Sequence, residues 1–152
     1  NKFIIDSKKL SQKKRKEIGQ EIIDNATSWS ISEVSNKKID EINILNASIL
    51  AMHRSLDKLK VRPEFIIVDG NKFKPYRNII HECIIKGDNK FQNIAAASIL
   101  AKNYRDELMK NISIKYDNYS WESNFGYPTK KHRDSIKKYG VTRYHRKSFK
   151  LL

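Results

Sequence analysis

The sequence predicts a mixed α and β chain, of the α/β or α+β class. Two short apolar runs carry the β part: FIIV at 65–68 and CIIK at 83–86, each ended by Asp and Gly. The α part rests on residues 39–59, where apolar residues recur every three or four positions, and on the small-residue stretch at 94–101. The order reads helix, strand, helix, strand, strand, helix, loop, helix.

Ser11 caps a helix expected to reach about Asp24. Its first turns carry Lys13, Lys14, Arg15 and Lys16, which oppose the helix dipole and hint at a partner as much as a solvated face. SWSISEVS at 28–35 partly alternates between Asn residues and reads as a strand. Ile39, Ile42, Leu45, Ile49, Met52, Leu56 and Leu59 form one apolar stripe, which predicts a single long amphipathic helix stopped by Pro63. FIIV is continuous enough to be buried on both faces. A helix is expected over 92–110. Ala95, Ala96, Ala97 and Ser98 would let it approach a sheet or a substrate backbone closely. Thr129 caps a last helix that Gly140 ends.

The chain has 152 residues, enough for one domain with a core. Net charge is +14, and it is unevenly spread. Residues 1–20 hold seven Lys and Arg against two acids, and residues 113–152 hold ten against three. Residues 21–70 hold six against eight. Basic ends interleaved with Tyr127, Tyr139, Tyr144 and Phe149 favour a phosphate-rich partner held by charge and stacking, although a solubilising surface would share the charge. No stretch is apolar enough over about 20 residues to span a bilayer. The one cysteine, Cys83, makes no internal disulfide and no cysteine zinc cluster, which suits a reduced, cytoplasmic setting.

Asp69 ends the FIIV run, where open α/β sheets place their ligands; an ordinary Asp-Gly turn has the same signature. Asp106 follows Lys102 by four residues, consistent with a metal ligand or a surface ion pair. Two carboxylates on a basic chain suit a hard divalent cation acting on a polyanion. Asp40, Glu41 and Asp88 are further acids without obvious convergence on Asp69. His145 in RYHRKSF is either a phosphate contact or a surface residue of a basic tail. Tyr127 in NFGYPT is either a stacking platform or a loop anchor.

Together these segments resemble bacterial ribonuclease HII, the type 2 ribonuclease H. The matching pieces are DSKKLS at 6–11, EINIL at 41–45, IIVDG at 66–70, KGD at 86–88, IAAASILAK at 94–102, Arg105-Asp106, GY at 126–127 and HRKSF at 145–149. The resemblance implies one ribonuclease H-like domain over 1–152: a mixed sheet, flanking helices and a helical, basic C-terminal extension. It implies cleavage of the RNA strand of RNA–DNA hybrids, and 5′ of ribonucleotides embedded in duplex DNA, leaving 3′-OH and 5′-phosphate ends. Mg²⁺ or Mn²⁺ is the implied cofactor, and a monomer free of membranes the implied state. Asp69 and Asp106 match two of four active-site carboxylates. Tyr127 matches the tyrosine that stacks on the sugar at the RNA–DNA junction, and Lys86, Lys102, His145 and Arg146 fall on the substrate-facing basic surface. The 2′-OH separates RNA from DNA, so such an enzyme reads it directly.

One departure stands out. The family's first strand carries an adjacent Asp-Glu pair followed by Gly-Arg-Gly, and nothing similar precedes DSKKLS. The expectation is a sequence truncated at its N-terminus, lacking its first strands and two of four carboxylates. A hybrid-binding module without catalysis is the alternative, and another two-metal phosphodiesterase of similar fold a more remote one.

Overall fold

The computed structural model describes residues 10–151, so most of DSKKLS lies outside the described residues. The elements are α1 (Gln12–Asn25), α2 (Asn36–Lys58), β1 (Phe65–Asp69), β2 (Ile80–Ile84), α3 (Gln92–Ser113), α4 (Trp121–Asn124) and α5 (Lys130–Tyr139). They divide into two compact units. Unit one comprises the described residues up to 33 together with 48–103, and unit two comprises 34–47 with 104–151.

In unit one, β1 and β2 pair in parallel, with Phe65 opposite Ile80 and Asp69 opposite Ile84. The ladder is extended past the strand ends by Gly70 N–H donating to Ile84 O. Ile66 and Val68 are buried while Phe65 is half exposed, so β1 buries one face more than the other, not both equally. The second strand begins at Ile80, three residues before the sequence pattern suggested, and Ile85 and Lys86 fall in the turn after it. A second apolar cluster joins α1 to the start of α3 through Ile18, Ile22, Ala95, Ile99 and Leu100. A side chain at Gly19 would run into Asn103. Ala95 and Ala96 of α3 therefore serve close approach to a helix, whereas Ala97 is exposed. Arg15, at 5% exposure, lies inside this contact. Its Nε donates to Asn103 Oδ1 at 3.1 Å, and Asn103 Nδ2 returns a bond to Arg15 O at 2.8 Å. One of the four early cations of α1 is thus structural.

The strand expected over 28–35 is not formed; residues 28–33 meet other partners. Their polar groups are engaged by the second half of α2 and the residues after it. Lys58 Nζ donates to Ile31 O and Arg54 Nη1 to Glu33 O. Ser28 Oγ accepts the N–H groups of Lys60 and Val61. The alternation was real, but these side chains take up the groups a neighbouring strand would use.

The helix expected over 39–59 is broken at Asn43, which has φ 65° and ψ 167°. Asn tolerates positive φ better than most residues, and its Oδ1 caps the new start by accepting Asn46 N–H at 3.0 Å. The break shifts the buried face. Ala47 and Ile49 are buried, whereas Leu45 from the expected stripe is 45% exposed.

Unit two is centred on aromatic residues. Tyr119, Trp121 and Ile136 are buried, with Met109, Ile112, Tyr116, Tyr144 and Leu151 against them. Tyr119 stacks on Trp121 at 5.0 Å, and its hydroxyl donates to Gly140 O at 2.9 Å. At α5, Thr129 Oγ1 accepts His132 N–H, and Gly140 takes φ 77° at the far end, as the sequence indicated.

Candidate active site and basic loops

Asp69 is exposed at the carboxyl end of β1. Its Oδ1 accepts the backbone N–H of Gly87 at 2.8 Å, just beyond the end of the paired strand β2. That N–H is offered because Lys86 adopts a left-handed conformation, φ 56° and ψ 42°, and starts a tight turn over Gly87–Asn89. Gly87 packs closely on Ile94: a Cβ there would come within 2.6 Å of Ile94 Cδ1, so that side chain would have to shift. One carboxylate oxygen is therefore oriented by backbone. No described residue donates a hydrogen bond to the other. Lys86 is exposed on the same turn, Asp88 is buried, and Lys102 is half buried on α3.

Unit two holds Asp106, Tyr127, His145 and Arg146. Asp106 is 4% exposed on α3. The loop after α4 presents Tyr127, which is 54% exposed. Phe125 and Gly126 both have positive φ, and Asn124 fastens the turn by accepting Gly126 N–H on its side chain at 2.8 Å and Tyr127 N–H on its backbone carbonyl. Arg105 Nη2 donates to Phe125 O at 3.1 Å, and its guanidinium carbon lies 5.7 Å from the Tyr127 ring centroid.

His145 does not sit on a surface. It is 5% exposed, its ring stacked on His132 at 5.4 Å and packed near Tyr119 and Trp121. Thr142 N–H donates to His145 Nδ1 at 2.9 Å, which fixes the neutral tautomer with its proton on Nε2. Burial, and then the neighbouring His132, hold its pKa below the ordinary histidine value; burial does the same for His132. The imidazole anchors the basic loop to the aromatic core.

That loop is also clamped by the first half of α2. Asn36 Nδ2 donates to Arg143 O at 2.8 Å and to His145 O at 3.0 Å. Asp40 accepts Lys147 N–H on Oδ2 and Ser148 N–H on Oδ1, both at 2.9 Å, and the Ser148 hydroxyl as well. These bonds hold the Asp40 carboxyl below its usual pKa, with Ser148 the largest cause. Asp40 is thus committed to a loop 107 residues away, and no local sequence signal announced it.

Carboxylate oxygens are the right donors for a hard cation such as Mg²⁺ or Mn²⁺, and Asp69 keeps one oxygen without a hydrogen-bond donor among the described residues. Among the described residues, however, no group of three or more His, Cys, Asp or Glu side chains gathers to hold a metal ion. In type the donors fit; in number they do not close a site.

The family model described as Ribonuclease HII matches residues 3–152. The chain is 61% identical to the ribonuclease HII of Christiangramia forsetii, covering all of this chain and 77% of that protein. It is 52% identical to that of Parabacteroides distasonis, covering 76% of it. Its fold is similar to the crystal structure of ribonuclease H2 from Pyrococcus horikoshii, with a TM-score of 0.81, 24% identity, and coverage of 98% of this chain and 78% of that one. No described helix is long and apolar enough to cross a membrane. The chain belongs to the ribonuclease HII family: it is a ribonuclease, and its substrates are nucleic acids that combine RNA with DNA.

Proposed function

We propose that the protein is an endonuclease that cuts the RNA strand of RNA–DNA hybrids and the 5′ side of ribonucleotides embedded in duplex DNA. The products would carry 3′-OH and 5′-phosphate ends, and Mg²⁺ or Mn²⁺ would be the cofactor, in a two-metal-ion hydrolysis. The observation that carries this reading is Asp69, an exposed carboxylate at a strand end with one oxygen oriented by Gly87 N–H.

Asp69 and Asp106 are the residues proposed to hold the metal. Bound cations would activate water and stabilise the leaving oxygen. Tyr127 is the residue proposed to stack on the sugar at the RNA–DNA junction; it is 54% exposed, and the Arg105 guanidinium carbon lies 5.7 Å from its ring centroid. Lys86, Lys102 and Arg146 supply cations for the phosphates, and His145 serves from the interior by fixing the loop that carries Arg146. All act within one ribonuclease H-like domain.

The decisive experiment offers the protein a duplex containing one ribonucleotide, with Mg²⁺ or Mn²⁺. A single nick 5′ of the ribonucleotide is expected. Absence of any nick, together with salt-dependent binding of the hybrid, would favour a second reading: a hybrid-binding module. The shortage of converging ligands among the described residues is what keeps that reading in view.

A further inference from the structure

Asn124 is the last residue of α4 and is 9% exposed. Its side-chain amide has one partner at each end. Nδ2 donates to Tyr119 O at 2.7 Å, and Oδ1 accepts Gly126 N–H at 2.8 Å. A carbonyl on one side and an N–H on the other fix which end of the amide is which. Ionised aspartate has the same shape but no donor, so it could make only one of these bonds.

The two ends differ in kind. Tyr119 is part of the aromatic core, 4% exposed, stacked on Trp121 and bonded through its hydroxyl to Gly140 O. Gly126 belongs to the loop that carries Tyr127. That loop has an unfavourable start: Phe125 takes φ 50° and ψ 30°, a left-handed conformation that a β-carbon opposes. The Asn124 side chain spans this residue and ties the loop back to the core. Beyond it, both backbone groups of Tyr127 are bonded within the loop. Its N–H donates to Asn124 O, and its carbonyl accepts Thr129 N–H, both at 2.8 Å. The Tyr127 side chain is 54% exposed on a backbone that is already fixed.

We infer that Asn124 is a positioning residue for substrate recognition, acting through Tyr127. It rests on the reading of Tyr127 as the residue that stacks on the junction sugar. A ring held in place before binding loses little freedom when it stacks, and that saving appears as affinity. Without the amide, Tyr119 O and Gly126 N–H each lose a partner, and the loop is free to leave the left-handed turn. The ring would then have to be ordered by the substrate itself.

The test measures binding of a duplex containing one ribonucleotide to the whole protein in the presence of a chelator. Tyr127→Ala should bind about tenfold more weakly than wild-type protein. Asn124→Ser, which adds no charge and removes the Nδ2 donor, should bind about fivefold more weakly. In the Tyr127→Ala background, Asn124→Ser should cost less than about twofold more. The salt slope should stay at its wild-type value throughout, since no cation is removed. Hydrogen exchange on the unbound wild-type protein supplies a measurement that needs no variant: the Gly126 and Tyr127 amides should be protected before any duplex is added. If Tyr127→Ala weakens binding but Asn124→Ser costs the same factor with and without the tyrosine ring, Asn124 is only structural and the inference is overturned. Rapid exchange at Gly126 and Tyr127 in the unbound protein would overturn it too. If Tyr127→Ala binds as well as wild-type protein, or wild-type protein does not bind the duplex, the underlying reading fails and the role of Asn124 falls with it.

Discussion

Gly87 donates its backbone N–H to Asp69 Oδ1 at 2.8 Å, linking the end of β1 to the turn after β2. An exposed carboxylate is thereby given a fixed orientation by a backbone group. Asparagine in its place would keep the acceptor oxygen and lose the charge. Asp69→Asn should lower nicking by at least about a thousandfold while duplex binding in chelator changes little. Steady-state nicking in Mg²⁺ and Mn²⁺ measures this, and full activity in the variant would refute the role assigned to Asp69.

Gly87 itself is constrained from the opposite side. A Cβ would approach Ile94 Cδ1 to 2.6 Å and Ile84 Cβ to 3.4 Å, and both residues are buried. Gly87→Ala should destabilise the protein by about 1–3 kcal/mol through overpacking, and should reduce nicking as well by moving the N–H away from Asp69. Denaturant midpoints read the first effect. An unchanged midpoint would show that the turn yields more easily than this packing suggests.

Gly126 has φ 76°, and a Cβ there would meet Met109 Cε at 3.2 Å and Arg105 Nη2 at 3.4 Å. Gly126→Ala should cost about 1–2 kcal/mol from left-handed backbone strain alone. It should also raise KM for a ribonucleotide-containing duplex more than it lowers kcat, because it disturbs the loop under Tyr127. Equal falls in kcat and kcat/KM, with KM unchanged, would contradict that assignment.

Three groups, Asp40, His145 and His132, make the basic loop and the core beneath it sensitive to acid. Asp40 has a depressed pKa in the folded state because Ser148 and Lys147 donate to it. Its contribution is present above the unfolded carboxylate pKa and is lost as pH falls through the folded value. His145 and His132 are held neutral by burial, with pKa values below the ordinary 6.5. Their contribution is complete above the unfolded histidine pKa and is lost as pH falls through the lower folded values. Protonating His145 Nδ1 would also break the bond from Thr142 N–H. Unfolding free energy should therefore be smaller at about pH 5 than at about pH 7.5, and His145→Gln should weaken that dependence. Amide exchange at Lys147 and Ser148 should accelerate in Asp40→Asn at neutral pH. Exchange as slow as in the wild-type protein would show that Asp40 does not hold the loop.

Local signals identified several elements well. Ser11 and Thr129 announced helix starts because a side-chain oxygen three residues before an unpaired N–H is a short-range interaction. The Asp69 position followed from an apolar run meeting Asp-Gly, and the family was legible from segments spread along the whole chain. The errors arose where the partner was distant. The alternation at 28–35 is the same whether a strand or the side chains of α2 engage the backbone. The stripe through 39–59 ignored a break in the helix at Asn43, after which Leu45 is exposed and Ala47 buried.

Sequence by itself determined most of the element types, the strand expected at 28–35 excepted, and the basic character and candidate carboxylates, because propensity, capping and charge act over a few residues. Tertiary structure alone decided which polar side chains are interior. It buried Arg15 against Asn103, took His145 out of the basic surface, and set Asp40 on backbone N–H groups 107 residues away. It also placed Arg105 beside Tyr127. Burial and hydrogen-bond geometry depend on which segments meet in space, and the periodicity of one segment contains nothing about its partner.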